Sequence, residues 1–438
     1  MSFDRTRRVA LAAGAAALLF GACQEGAYLP EDSTPDATNL LAPQQVGELV
    51  FQQISSPAIA TPDSGEMTLV WKYELQEADA TYIAPHFEHF KLPEGAFLQV
   101  EGINGVRSVT YAGEGKVVPD SVGFWGTHLP GTQATLELYS SVAVPAGAVR
   151  LDRYARGTDA YLRFQEEYAE KALCGADDSE WAQCKGGTMY DKSRAVARLL
   201  IGGTGACTGW LVGSEGHLMT NEHCITTNSE AGNTDYEFMA EGSCNTNCAS
   251  WGACPGTVAA SSGTLVKDNA TLDYALILLP NNPSNTYGYL QMRNAGAQLG
   301  EQIYIPQHPQ AWGKKIADTA GSSPATVTTV TAAPCSGGQG NADVGYMADT
   351  QGGSSGSPVI GTSDHAVIAL HHCANCPNRG VPIDKVIGDL GSSVPADATV
   401  GGAPPPPPAC FPAGDSCSSN SDCCSNRCRG RSGRKTCK

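Results

Sequence analysis

Gly353-Ser354-Ser355-Gly356-Ser357-Pro358 is a short run in which glycines bracket a serine hydroxyl. Flanking glycines let the backbone turn sharply and approach a bound carbonyl closely. One loop then presents a nucleophile at Ser355 and two oxyanion donors, the Gly353 and Ser355 amides. Such runs are also ordinary surface turns, so the company this one keeps matters. Thr220-Asn221-Glu222-His223-Cys224 follows the strand-like Cys207–Val212 and a glycine-containing turn to His217-Leu218-Met219. That pattern predicts a β-hairpin delivering His223 as a general base, with Cys207 and Cys224 placed to staple its ends. Asp273 opens the apolar strand Leu272–Leu279. A buried carboxylate there would fix the tautomer of a base histidine and stabilise its protonated form. Asp268 is the rival acid, in a polar Lys267-Asp268-Asn269 turn where an Asx role is expected.

The order His, Asp, Ser and these three contexts resemble the chymotrypsin-like (trypsin-fold) serine endopeptidases. Within them the chain is most similar to the bacterial lysyl endopeptidase branch and its glutamyl-specific relatives. The resemblance runs from about Cys174 to about Leu390. It includes Arg194-Ala195-Val196-Ala197-Arg198, Ala206–Gly209, Ile303–Pro309 with Lys314-Lys315-Ile316, the Gly353–Pro358 loop and Val367–His371. It implies a double six-stranded β-barrel with His223 as base, Asp273 as its orienter and Ser355 as nucleophile. It also implies an oxyanion hole at Gly353 and Ser355, and acyl-enzyme hydrolysis of peptide bonds with no cofactor and no metal. Ser354 stands where animal members carry the aspartate that pairs with a freed amino terminus, so activation should not depend on that pair.

Substrate preference follows from the same resemblance. Asp349 lies six residues before Ser355, the spacing of a pocket-floor carboxylate that binds Lys or Arg. Glutamyl-specific relatives use a threonine and a histidine where Thr350 and His371 stand, and Arg379 would favour the same acidic substrate. Cleavage after Lys or Arg is the first reading and cleavage after Glu the alternative. A reading from a different class is a catalytically silent surface binding protein on the same fold.

The elements around the triad fit export. Arg5, Arg7 and Arg8 precede the apolar run Val9–Phe20, too short to span a membrane but right for a signal peptide over 1–22. Leu19-Phe20-Gly21-Ala22-Cys23 resembles a bacterial lipoprotein signal, which implies acylation of Cys23. Setting Cys23 aside leaves an even number of the 17 cysteines, as a disulfide-bonded export product requires. The expected destinations are a bacterial outer-membrane lipoprotein or a secreted protein. Residues 23–45 read as a flexible tether and 46–150 as a β-sandwich of short alternating strands. The sandwich resembles the segment before the protease in lysyl endopeptidase precursors, implying a pro-region that binds its own enzyme. His86 and His89, three apart on a strand, point to opposite faces and make a poor metal pair. Residues 151–173 are expected to be a charged, helix-like connecting and processing segment, followed by the protease domain over 174–394.

The resemblance also implies Cys174 paired to Cys373 or Cys376 and Cys184 to Cys244 or Cys248. Cys254 and Cys335 are left in pairings the sequence does not fix. Two His and two Cys within 371–376 are spaced too tightly for zinc. After a Pro-rich linker over 395–409 comes a module over 410–438 that resembles an inhibitor cystine knot. This implies Cys410–Cys424, Cys417–Cys428 and Cys423–Cys437. Its basic residues contrast with the formal net charge of −16 for the whole chain. They could dock on an anionic surface or on the acidic protease. Overall acidity argues against nucleic acid as a partner. The partners expected are protein or peptide substrates, with membrane contact only through a lipid anchor.

Overall fold

The computed structural model describes residues 42–158, 173–335, 342–400, 427–431 and 434–437. Residues 1–22, read above as a signal peptide, and Cys23, residues 159–172 and Cys410, Cys417, Cys423 and Cys424 lie outside the described residues. Of the basic module, the hairpin Cys428–Arg431 with Arg434–Cys437 is described, and Cys428 is disulfide-bonded.

Two sheets face each other in the amino-terminal part. One carries Gly47–Ser55, Val149–Gly157, Tyr82–Phe90 and Phe124–Trp125, and the other Thr68–Gln76, Gln133–Ser140, Ala96–Gly102 and Ser108–Ala112. Burial alternates strictly along Ala96–Gly102 and Gln133–Ser140. Leu98, Val100, Leu136 and Leu138 therefore turn inward onto Phe87, Phe90, Tyr111 and Phe124. On Tyr82–Phe90, His86 is buried against Asp152 while His89 is exposed.

The chain departs from expectation at both ends of this sandwich. Residues 151–157 are not helical: Val149–Gly157 is a strand paired on both edges, with Gly47–Ser55 and Tyr82–Phe90. Two ladders of long-range hydrogen bonds, with Leu151, Tyr154 and Ala155 buried, override the helical look of its charged residues. At the other end, Gln44–Gln45 is not tether. It pairs antiparallel with Ala206 and Gly205 at the edge of the next domain.

That domain is two β-barrel halves packed around the loops that carry His223, Asp273 and Ser355. In the first, the strand path runs Thr257–Ala260, Thr234–Phe238, Val196–Ile201, Gly205–Val212, His217–Thr220, Tyr274–Leu278, Thr264–Asn269. In the second, Ile303–Gln307, Pro358–Gly361, Val367–Cys373, Asn378–Pro382, Asp343–Met347 and Thr326–Ala332 pair in turn. The bridge Gln302↔Thr326 brings the last strand back to the first. Strands buried on both faces, such as Val196–Ile201 and Val367–Cys373, supply most of the core. The helix Ile383–Leu390 lays Ile383, Val386, Ile387 and Leu390 inward, the i, i+3, i+4, i+7 stripe of an amphipathic helix. The domain runs past residue 394, because Thr399–Val400 pairs in parallel with Met292–Arg293.

Five disulfides staple this region: Cys174–Cys376, Cys184–Cys244, Cys207–Cys224, Cys248–Cys254 and Cys335–Cys373. The last two supply the pairings that the sequence left open.

Candidate active site

Register brings the base and its acid together. Thr220, the last residue of its strand, is opposite Ala275, so the turn after Thr220 and the residue before Tyr274 share one end of the sheet. There His223 Nδ1 lies 2.8 Å from Asp273 Oδ2, and the His223 amide donates to Asp273 Oδ1 at 3.0 Å. Asn221 Nδ2 donates to the Asp273 carbonyl at 2.8 Å. Asp273 itself has φ +43°, left-handed for a non-glycine residue, and is held there by these bonds. Burial works against its ionisation, but His223 and His372 outweigh that and hold the carboxyl well below the usual carboxylate range. The rival Asp268 is exposed on the strand Thr264–Asn269, and the Asx role belongs to Asn269, whose side chain caps Thr271 and Leu272.

The serine loop is clamped between the two halves. Thr208 N donates to the Ser355 carbonyl at 2.9 Å, and Thr208 Oγ1 to the Gly353 carbonyl at 2.8 Å. From the other half, Gly356 N donates to His371 O and His371 N to Ser357 O, each at 2.9 Å. Gly353, with φ +87°, admits the backbone of 308–311, to which a Cβ would come within 2.9 Å. The outcome is a partly exposed Ser355 between buried neighbours Gly353, Ser354, Gly356 and Ser357. The amides of Gly353 and Ser355 donate to no acceptor among the described residues. Nε2 of His223 is likewise buried without a partner. A base with a free Nε2, a carboxylate behind it and two unused amides is the equipment for addition of a hydroxyl to an acyl carbon.

Three residues were expected in the substrate pocket. Asp349 is buried with both oxygens taken by main-chain amides: Oδ1 by Cys174 N and Oδ2 by Asp178 N, each at 2.7 Å. Burial pushes its carboxyl up despite those two donors. The carboxylate is thus bonded to the segment after Cys174. Thr350 Oγ1 is buried and has no partner among the described residues. His371 Nδ1 lies 2.7 Å from the Tyr346 hydroxyl, and burial, then the neighbouring His372 and His223, lower its pKa to about 3. It is a neutral ring.

Sequence reasoning missed His372, which also contacts Asp273. The doublet His371-His372 on a fully buried strand was the available signal, since consecutive strand residues face opposite ways. Asn221 and the packing of Gln44 against Gly352, where a Cβ would meet its side chain at 1.8 Å, had no local signature.

Residues 207–370 match the family described as trypsin-like peptidase domain. Among curated proteins, the secreted RxLR effector protein 73 of Plasmopara viticola is 41% identical over 344 residues, spanning 75% of this chain and 83% of that protein. Solved structures give distant likenesses. A Glu endopeptidase in complex with MPD is 18% identical, with 48% of this chain and 93% of that one covered at a TM-score of 0.33. The active form of the Rv3671c protease from M. tuberculosis is 15% identical, with 48% and 85% covered at 0.34. The chain belongs to the same family as the Plasmopara effector protein and carries a trypsin-like peptidase domain.

Proposed function

We propose that this chain is an exported serine endopeptidase. Ser355 Oγ attacks the scissile carbonyl and gives its proton to His223 Nε2. The oxyanion rests on the Gly353 and Ser355 amides, and water then releases the acyl-enzyme. The observation that carries the reading is the buried His223–Asp273 pair beside a loop whose two amides have no other acceptor. Export is supported by the five disulfides and by the name of the Plasmopara relative, which calls that protein secreted. Acylation at Cys23 is the alternative to free secretion, and the mass of the amino-terminal peptide distinguishes the two.

We infer cleavage after Glu rather than after Lys or Arg. The Asp349 carboxylate already has two main-chain partners, whereas Thr350 offers a buried hydroxyl without one and His371 a neutral ring. The amino-terminal sandwich would act as a pro-region, with processing between Gly157 and Cys174. Its contact through Gln44 lies beside the serine loop.

The test is digestion of a random peptide mixture by processed protein, comparing native with Ser355→Ala. We expect Ser355-dependent cuts after Glu and a loss of roughly 10³-fold or more in the variant. Cuts after Lys or Arg would return Asp349 to the pocket. Ser355-independent or absent cleavage by folded protein would favour the silent binding protein.

A further inference from the structure

Asp273 has a second imidazole on it. His372 Nδ1 lies 3.1 Å from Asp273 Oδ2, the oxygen that His223 Nδ1 approaches at 2.8 Å. The other ring nitrogen of His372, Nε2, lies 3.0 Å from Asp343 Oδ2. All three side chains are buried. A neutral imidazole carries one N–H and one lone pair. Set between two carboxylates, it would aim that lone pair at a carboxylate oxygen. Only the imidazolium donates at both ends.

We propose that His372 is a standing imidazolium that bridges Asp273 to Asp343, a positioning residue that fixes the Asp273 carboxylate and divides its negative charge between two histidines. The proposal rests on the reading of His223 and Ser355 as base and nucleophile. The bridge is anchored at its far end. Asp343 opens the strand Asp343–Met347, and its Oδ2 also accepts from the Cys335 amide at 3.0 Å. Cys335 is in turn bonded to Cys373, the residue next to His372. The near end is the left-handed Asp273, whose backbone conformation needs its side chain and carbonyl held from several directions. Burial opposes a charge on His372, yet its bonds to Asp273 and Asp343 raise its pKa to about 9. The titratable groups facing this network are Asp273, Asp343, His223, His371, Glu222 and Tyr346, whose hydroxyl is pushed up by burial and then by Asp343. His371 is neutral, and Glu222 is pushed up by burial and then by Asp273.

Such a cation sets where the base turns off. With His372 charged, Asp273 has less negative charge left to hold a proton on His223. With His372 neutral or absent, the site around the base loses a positive charge and the acidic limb of kcat/KM moves up. Two independent variants move towards that condition: His372→Gln removes the ring, and Asp343→Asn removes one of the two carboxylates that hold the His372 proton.

The experiment has two arms. In the first, ring nitrogens of the full chain labelled with 15N-histidine are read by NMR in the Ser355→Ala background, which prevents self-digestion. Both His372 nitrogens should be protonated between pH 6 and 8. In the second, kcat/KM of processed enzyme is measured against pH. The acidic limb should rise by about half to one pH unit in each variant, with kcat falling about tenfold and KM little changed. A neutral His372 tautomer at pH 7, or an unmoved limb in both variants of a Ser355-dependent enzyme, overturns the inference. Cleavage that does not depend on Ser355 overturns the proposed function instead. If a variant fails to fold, the NMR arm on the intact network still decides.

Discussion

Gly356 shows how closely the site is built. Its φ is +86°, and a Cβ there would stand 2.1 Å from Thr208 O and 2.4 Å from Thr220 Oγ1. Both contacts belong to the hairpin that carries His223, so any side chain would drive the nucleophile loop away from the base. Gly356→Ala should lose about 2–4 kcal/mol of stability and most activity, read by thermal unfolding and by peptide turnover. His372 gives a second expectation. A ring with pKa about 9 when folded, against about 6.5 unfolded, binds its proton more tightly in the native state. Its contribution is whole below about pH 6.5 and is lost as pH rises through 9, on the order of 3 kcal/mol. Tm should therefore fall between pH 7 and 9.5, and the His372→Gln variant should flatten that slope. His223, Asp273 and Ser355 were legible because each sits in a local context with its own chemical logic. The role of His372 was not, because Asp343 lies 29 residues away and only the sheet brings the two together.

At the level of elements, the segment after Cys174 is tied down from several sides. Cys174 bonds Cys376, the amides of Cys174 and Asp178 hold Asp349, and Lys315 pairs with Asp177 at 2.7 Å. Asp349→Ala would leave two half-buried amides without their acceptors, at about 1 kcal/mol each. We expect faster hydrogen exchange over 174–181 and an unchanged cleavage preference; loss of a Lys or Arg preference would instead return Asp349 to the pocket. Spacing alone nominated this carboxylate, and spacing does not say which backbone will claim it. The strand Val149–Gly157 carries the same lesson, since its two partners lie about 60 and 100 residues upstream and only long-range pairing reveals it. The short alternating strands of the sandwich, by contrast, could be read directly from their period.

The whole molecule is held together across the sandwich and the protease by buried polar contacts. Glu237, on a central protease strand, is shared by Arg198 and by Arg107 from the sandwich. Burial opposes its charge, but the two guanidiniums hold its pKa down to about 2. Around it, His128 and Trp125 donate their amides to Asp235 and Asn233 at 2.8 Å, and the Tyr82 hydroxyl donates to Gly203 O. Trp125 packs on Gly203, and Trp251 contacts Tyr82 and Arg198. A chain cut between Gly157 and Cys174 should thus leave two fragments that co-elute at neutral pH. Stability that Glu237 contributes is present above about pH 4.5 and lost as pH falls towards 2, so acid should separate the fragments. Size-exclusion chromatography across that range reads the outcome. Arg107→Leu should shift the separation to higher pH.

The five disulfides all join residues from Cys174 onward, and no cysteine occurs between Gln24 and Leu173. The half that a ribosome makes first can therefore fold without an oxidant. The half that needs one is made second, after a segment that requires no cross-link.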